Sequence, residues 1–223
     1  MCKYTEKTLE MPTDDIIINC IQAFNQYEKY NEDNVRLAFS HFDNSCIENV
    51  FAKVVVLNNL YSAGLYNKQV ENQKDKVDVR TMSEYLYVHR AFFDSERTDD
   101  VIVSWIENTL HEFGIRYNYK PFSFITKYCA WSFPKQNIPI VDSYTKAMLY
   151  YINELHPYFG RKFYRYEINN EKDGVDVKYS FFCEVFAKFK EEYANEFSYK
   201  EIDKYLWYYG KHGKEGVNKP IQF

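Results

Sequence analysis

The sequence predicts a mostly α-helical protein in two lobes, and three observations carry that prediction. Only 7 Gly and 6 Pro punctuate 223 residues, which suits long helices better than many tight β-turns. Apolar residues recur at helical spacing in one segment after another, as at Ile17, Ile21 and Phe24. Short oxygen side chains stand just before several of these stripes, where they can satisfy the free N–H groups of a first helical turn. At this length the chain can bury a real core, in one domain or two small lobes.

The elements follow in order. Residues 1–12 read as an arm ending at Pro12. Thr13 or Asp14 can cap a helix over 14–30, on the stripe Ile17, Ile21, Phe24 and Tyr27. A short helix over 32–42 is followed by a break at Asp43-Asn44-Ser45. Within CIENVFAKVVVLNNL the run 54–57 is compatible with a buried strand, but the wider spacing of Ile47, Val50, Phe51, Val54 and Leu60 favours a mostly buried helix ending in Asn58-Asn59. Residues 67–79 are polar and either begin a helix or form a surface segment. Helices follow over 80–93 and 99–113, the second stopped by Gly114.

The stretch FSFITKYCAWSFPKQNIPIVDSYTKAMLYY is a helix holding Lys127, a turn with Pro134 and Pro139, and a helix capped by Asp142 or Ser143. That helix carries Tyr144, Met148, Ile152 and Leu155 on one face and ends at His156-Pro157. Lys172-Asp173-Gly174 is a turn that can join two short strands, a small β-hairpin near 163–180. An amphipathic helix over 181–193 precedes Ser198-x-x-Glu201, a capping box opening a last helix through Tyr209. One lobe is expected over 45–141, the other from 1–44 together with 142–223. The central turn would then lie at the seam, where sites commonly form.

Net charge is −4, so the molecule as a whole is not a basic nucleic-acid binder. Between 113 and 166, however, Arg116, Lys120, Lys127, Lys135, Lys146, Arg161, Lys162 and Arg165 face only Asp142 and Glu154. This is either chance clustering on a solvated face or a local phosphate-binding surface. The aromatic share, 19%, reads as half-buried tyrosine packing or as base-stacking faces. Five cysteines with no C-x-x-C or Cys/His pairing argue against a disulfide framework, a metal site and an iron–sulfur cluster. No cofactor is expected. The first fifteen residues lack the apolar core of a signal peptide and no stretch reaches bilayer length. A cytoplasmic protein with no membrane partner is the expectation; the sequence does not fix the oligomeric state, and a monomer is favoured.

Lys127, fifteen residues before Asp142 within TKY…IPIVDSYTKAML, resembles the helix-hairpin-helix DNA glycosylases, in particular the bifunctional 8-oxoguanine group. That family carries a catalytic lysine after a hairpin and an aspartate in a Pro-x-Asp or Pro-x-x-Asp signature opening the next helix. VFAKVVVLNNL is similar to the family's helix that ends in paired amides and enters the DNA gap left by an extruded base. The stretch equivalent to the family's glycine-rich hairpin, residues 118–124, holds no glycine, so its phosphate contact is altered or missing.

The resemblance implies a two-lobed helical fold, double-stranded DNA as partner, and base excision with an AP lyase step. Lys127 would attack the sugar C1′ and form a Schiff base. Asp142 would stabilise the oxocarbenium-like transition state. Burial beside Tyr128, Trp131 and Phe133 favours the neutral amine of Lys127, and Asp142 favours its ammonium. Asn58 or Asn59 would fill the vacated stack. Trp131, on the same helix face as Lys127, and Phe133 would stack on the base, while Lys120, Lys135 and Lys146 would meet phosphates. The alternative is a nucleic-acid-binding or protein-interaction protein on the same scaffold without this chemistry. Gly-rich phosphate loops, H-E-x-x-H and G-x-S-x-G are absent, so the corresponding hydrolase and protease classes have no support.

Overall fold

Thr13 opens the first helix as the sequence suggests: its hydroxyl accepts from Ile16 N, and Asp14 and Asp15 complement the first turn. The computed structural model describes residues 10–61, 63–65, 77–163 and 178–217. Among them are nine α-helices and no strand: α1 Asp14–Tyr27, α2 Lys29–His41, α3 Ile47–Tyr61, α4 Val79–Val88, α5 Asp99–Tyr117, α6 Phe122–Ser132, α7 Ser143–Leu155, α8 Tyr179–Tyr193 and α9 Tyr199–Val217. A 3-10 turn, Arg90–Phe92, follows α4. The protein is therefore mostly α. The hairpin expected near 163–180, Arg165, and most of the polar segment 67–79 lie outside the described residues. No described helix is long and apolar enough to cross a membrane.

The chain forms two compact units, residues 1–29 with 139–223, and residues 30–138. In the first, α9 packs on α1 and α7, and α7 also touches α8. Ile17, Cys20 and Phe24 of α1, Met148 and Ile152 of α7, Val185 and Phe189 of α8, and Tyr205 and Leu206 of α9 are all buried. α9 approaches α7 closely at Gly210, where a Cβ would lie 3.0 Å from both Met148 Cγ and Tyr144 Cβ. Tyr179 Oη donates to Pro139 O at 2.7 Å, tying the start of α8 to the strand-like entry into α7. The capping box forms as predicted: Ser198 N donates to Glu201 Oε2 at 2.8 Å and Glu201 N to Ser198 Oγ at 3.3 Å.

In the second unit α3 packs on α4 and α6, and α5 on α6. Val50, Val54 and Leu57 meet a core completed by Met82, Leu86, Ile106, Leu110, Phe124 and Ile125. α2 belongs mostly to this unit, whereas the sequence reading set 30–44 with the chain ends. The reason is Phe39, whose ring lies 5.2 Å from Tyr128 and 6.4 Å from Trp131.

Several helix ends differ from expectation: α3 runs past Asn58-Asn59 to Tyr61, α4 stops at Val88 rather than 93, α9 continues past Tyr209 to Val217, and two more differ with a visible local cause. The helix expected over 14–30 breaks at Glu28, whose N–H still bonds Phe24 O at 2.8 Å. Gly114 does not stop α5. The helix runs three residues further and ends where Asn118 turns left-handed at φ 48°, a conformation asparagine tolerates. At Gly114 the missing Cβ leaves space for the Lys120 side chain, whose Cε would stand 2.8 Å from it.

Candidate functional site

Lys127 lies in the middle of α6, between Thr126 and Tyr128 of an apolar helix, and is 6% exposed. Lysine heads normally stay in water. Here the amine donates to the carbonyl oxygen of Tyr61 at 3.3 Å and lies 5.7 Å from the centre of the Tyr61 ring. Among the described residues no carboxylate pairs with it. Trp131, one turn later on the same face, is half-buried and meets the same Tyr61 ring at 6.3 Å. The last residue of α3 thus joins the two side chains that the sequence placed together on α6. Such a group offers an amine without a salt bridge, next to a partly open indole.

Asp142 belongs to the other unit. It is the N-cap of α7, its Oδ1 accepting from Tyr144 N at 2.8 Å and Thr145 N at 2.9 Å. The two N–H groups hold one carboxylate oxygen in a fixed direction at the N-terminus of α7. Of the two capping candidates, Asp142 and Ser143, Asp142 takes the role and Ser143 begins the helix.

The remaining candidates divide. Asn58 is 4% exposed and its Oδ1 accepts from Leu65 N at 3.1 Å, closing the turn after α3. That side chain is engaged within its own turn; Asn59, next to it, is exposed. Phe133 is 6% exposed and packed by Phe92 at 5.7 Å and Phe93 at 5.8 Å. It packs as a core ring that also borders a surface cleft.

Lys135 is exposed but paired with Glu96 at 3.2 Å. Lys120 is half-buried along α5 beside Gly114, and Lys146 is half-buried one turn after Asp142. The basic excess between 113 and 166 is further reduced by Lys162, which reaches Glu154 at 3.7 Å. Exposed pairs of this kind are weak, but each lowers the local positive potential.

A second buried lysine, which the sequence reading passed over, is Lys53 on α3, 4% exposed. Its amine donates to Asn44 Oδ1. Burial pushes it down to about 8, against the opposing pull of Asp43 and Asp94. The signal was present in the sequence: Lys53 falls on the same face as Val50, Val54 and Leu57, so helical spacing alone places it inside.

Among the described residues no group of three or more His, Cys, Asp or Glu is placed to hold a metal ion. Cys20 and Cys129 are buried and their thiols are pushed up by desolvation, Cys20 to about 12, which makes both inert at neutral pH. Comparison with protein-family models, with curated proteins and with solved structures finds no match.

Proposed function

We propose that the protein is a DNA base-excision glycosylase with an AP lyase step, acting on a damaged or modified base in double-stranded DNA. The observation that carries this reading is Lys127, a lysine 6% exposed whose amine, among the described residues, meets a carbonyl oxygen and an aromatic ring and no carboxylate. Burying an amine without a counter-charge is costly, and a chain that keeps one on a helix face with a half-buried tryptophan has a nucleophile in a sheltered place.

In the proposed reaction the Lys127 Nζ lone pair adds to C1′ as the C1′–N bond to the base breaks. The bond's electron pair leaves with the base, which takes up a proton. The resemblance gives Asp142 the role of offsetting the positive charge that develops on the sugar. Opening of the sugar ring gives the imine. Loss of a C2′ proton then expels the 3′ phosphate, and water releases Lys127. Trp131 offers its indole face to the extruded base, and Asn59 remains the amide available to the vacated stack.

A second reading keeps the scaffold and drops the chemistry. It is favoured by the fixed Asn58 and by the Lys135–Glu96 pair, which leave fewer groups for phosphate and gap contacts. Incubating the full chain with duplexes carrying oxidised, alkylated, deaminated and abasic sites separates the two. Base release together with a borohydride-stable protein–DNA adduct is expected. Salt-dependent binding with neither product across the panel would establish the binding-only reading.

A further inference from the structure

The turn after the 3-10 segment, residues 93–96, and the turn that ends α6, residues 132–136, together line an open cleft of about 260 Å³. Both turns lie within residues 30–138. Backbone hydrogen bonds fix them: Phe93 N donates to Arg90 O at 2.8 Å, Phe133 N to Cys129 O at 2.9 Å and Gln136 N to Phe133 O at 3.0 Å. Phe93 and Phe133 stack at 5.8 Å with 25° between their planes. Phe92 meets Phe133 edge-on at 5.7 Å, and Trp105 and Tyr128 meet Phe93 edge-on at 5.1 and 5.2 Å. Phe93, half-buried, offers the larger apolar surface, and Phe133, 6% exposed, backs it. Rings held this way are set before a ligand arrives, which lowers the cost of binding.

Polar side chains border this aromatic wall. Asp94 is oriented by Asn44, whose Nδ2 donates to its Oδ1 at 3.1 Å. Among the described residues, Asp94 Oδ2, the Ser132 hydroxyl and the Gln136 side-chain amide have no hydrogen-bond partner. An apolar wall with a few convergent polar groups is the usual make-up of a small-molecule site, and this volume suits a fragment-sized molecule. The charges select the sign of the ligand. Glu96 and Lys135 pair at 3.2 Å and offset each other. Asp94 forms no ion pair among the described residues. Lys53 acts on it through space from behind Asn44, but is 4% exposed and borders no part of the cleft. It offsets part of the charge of Asp94, so the preference it leaves is modest. The charged group that a ligand meets is a carboxylate, which favours a cation and disfavours an anion.

We propose that this cleft binds a small flat aromatic cation, its ring against Phe93 and its N–H groups on Asp94. An amidinium or guanidinium matches best, because two parallel N–H groups meet a carboxylate as a fork. The Asp94 Oδ1 that accepts from Asn44 keeps a second lone pair for this. A positive charge near the face of Phe93 also gains from the negative face of the ring. Ser132 and Gln136 can each meet a donor or an acceptor on the ligand ring, and so set which substituents are accepted. Lys127 is not among the lining residues and no step of base excision is used, so either proposal can fail without the other.

The test is an NMR titration of the full chain at neutral pH with three probes of one shape: benzamidine, benzamide and benzoate. Benzamidine has about nine non-hydrogen atoms, for which a Kd on the order of 1 mM is expected. Its shifts should saturate and centre on the backbone amides of residues 93–96 and 132–136. Benzamide, which keeps the ring and loses the charge, should bind on the order of threefold more weakly, and benzoate on the order of tenfold or more. Asp94→Asn should bring benzamidine down to the affinity of benzamide and leave benzamide itself unchanged, since the amide oxygen can still accept from Asn44. Glu96→Gln should cost benzamidine less than Asp94→Asn does. Shifts that do not saturate or that centre outside the two turns would overturn the proposal. So would benzoate binding as tightly as benzamidine, or a preference for benzamidine that survives Asp94→Asn. The three-probe comparison on wild type decides the sign of the ligand without requiring any variant to fold.

Discussion

Asp142 caps α7, the proposed reaction gives it a second, electrostatic role, and substitution separates the two. Its Oδ1 accepts two N–H groups of the first turn of α7, at 2.8 and 2.9 Å. Removing an N-cap side chain costs about 1 kcal/mol, while Asn caps about as well as Asp. For a chain of this size about 1 kcal/mol is roughly 2–4 °C in Tm. Asp142→Ala should therefore melt about 3 °C lower, and Asp142→Asn within about 1 °C of wild type. Catalysis should follow charge instead. Loss of one preorganised electrostatic contact at a developing charge costs about 10²–10³ in rate, and both variants lose the carboxylate. Melting by circular dichroism and single-turnover base release on a lesion duplex read the two quantities. If Asn melts as low as Ala, the cap is not what the two hydrogen bonds indicate. If Asn releases base at the wild-type rate, Asp142 has no electrostatic role.

Three further outcomes follow from the packing. Gly210→Ala should destabilise by about 1–3 kcal/mol despite the better helix propensity of Ala, because the new Cβ meets Met148 Cγ and Tyr144 Cβ at 3.0 Å; an unchanged or raised Tm would contradict that close approach. Tyr205→Phe should be neutral or stabilising, since the Tyr205 hydroxyl is buried with no partner among the described residues; a loss above about 1 kcal/mol would reveal a partner. The Ser198 N–H and hydroxyl hold Glu201 below the usual glutamate range. A depressed carboxyl contributes stability above its unfolded pKa and loses it as pH falls through the folded one. Urea midpoints should thus fall more steeply below about pH 4.3 for wild type than for Glu201→Gln, and parallel profiles would contradict the linkage.

The helices were legible because their signals are local. Thr13, Asp142 and the Ser198/Glu201 pair cap where their chemistry suggests, and apolar spacing marks the buried faces. The break at Glu28 carries no Gly or Pro, and the end of α5 depends on Lys120 folding over Gly114 and Asn118 turning left-handed, contacts a linear pattern does not contain. The site was legible in part. Lys127 and Trp131 share a face by spacing, but their common neighbour Tyr61 lies 66 residues earlier than Lys127 and only folding brings it there. Asn58 and Phe133 have the right residue types for DNA contacts, yet one closes a turn and the other fills the core. Residue type and order indicate what a side chain is able to do; the fold decides whether it is already engaged.

The central claim concerns one atom, the Nζ of Lys127, and trapping tests it most directly. Wild-type protein and Lys127→Gln are incubated with a lesion duplex and borohydride, and the cross-linked peptide is identified by mass spectrometry. Gln keeps much of the side-chain shape and can still donate toward Tyr61 O, but forms no imine. Lys188→Gln, at an exposed position on α8, serves as the control. The expected result is an adduct on Lys127 in wild type and control and none in Lys127→Gln, with α-helical content unchanged. An adduct of undiminished yield in Lys127→Gln, or one mapped to another lysine in wild type, would contradict the assignment.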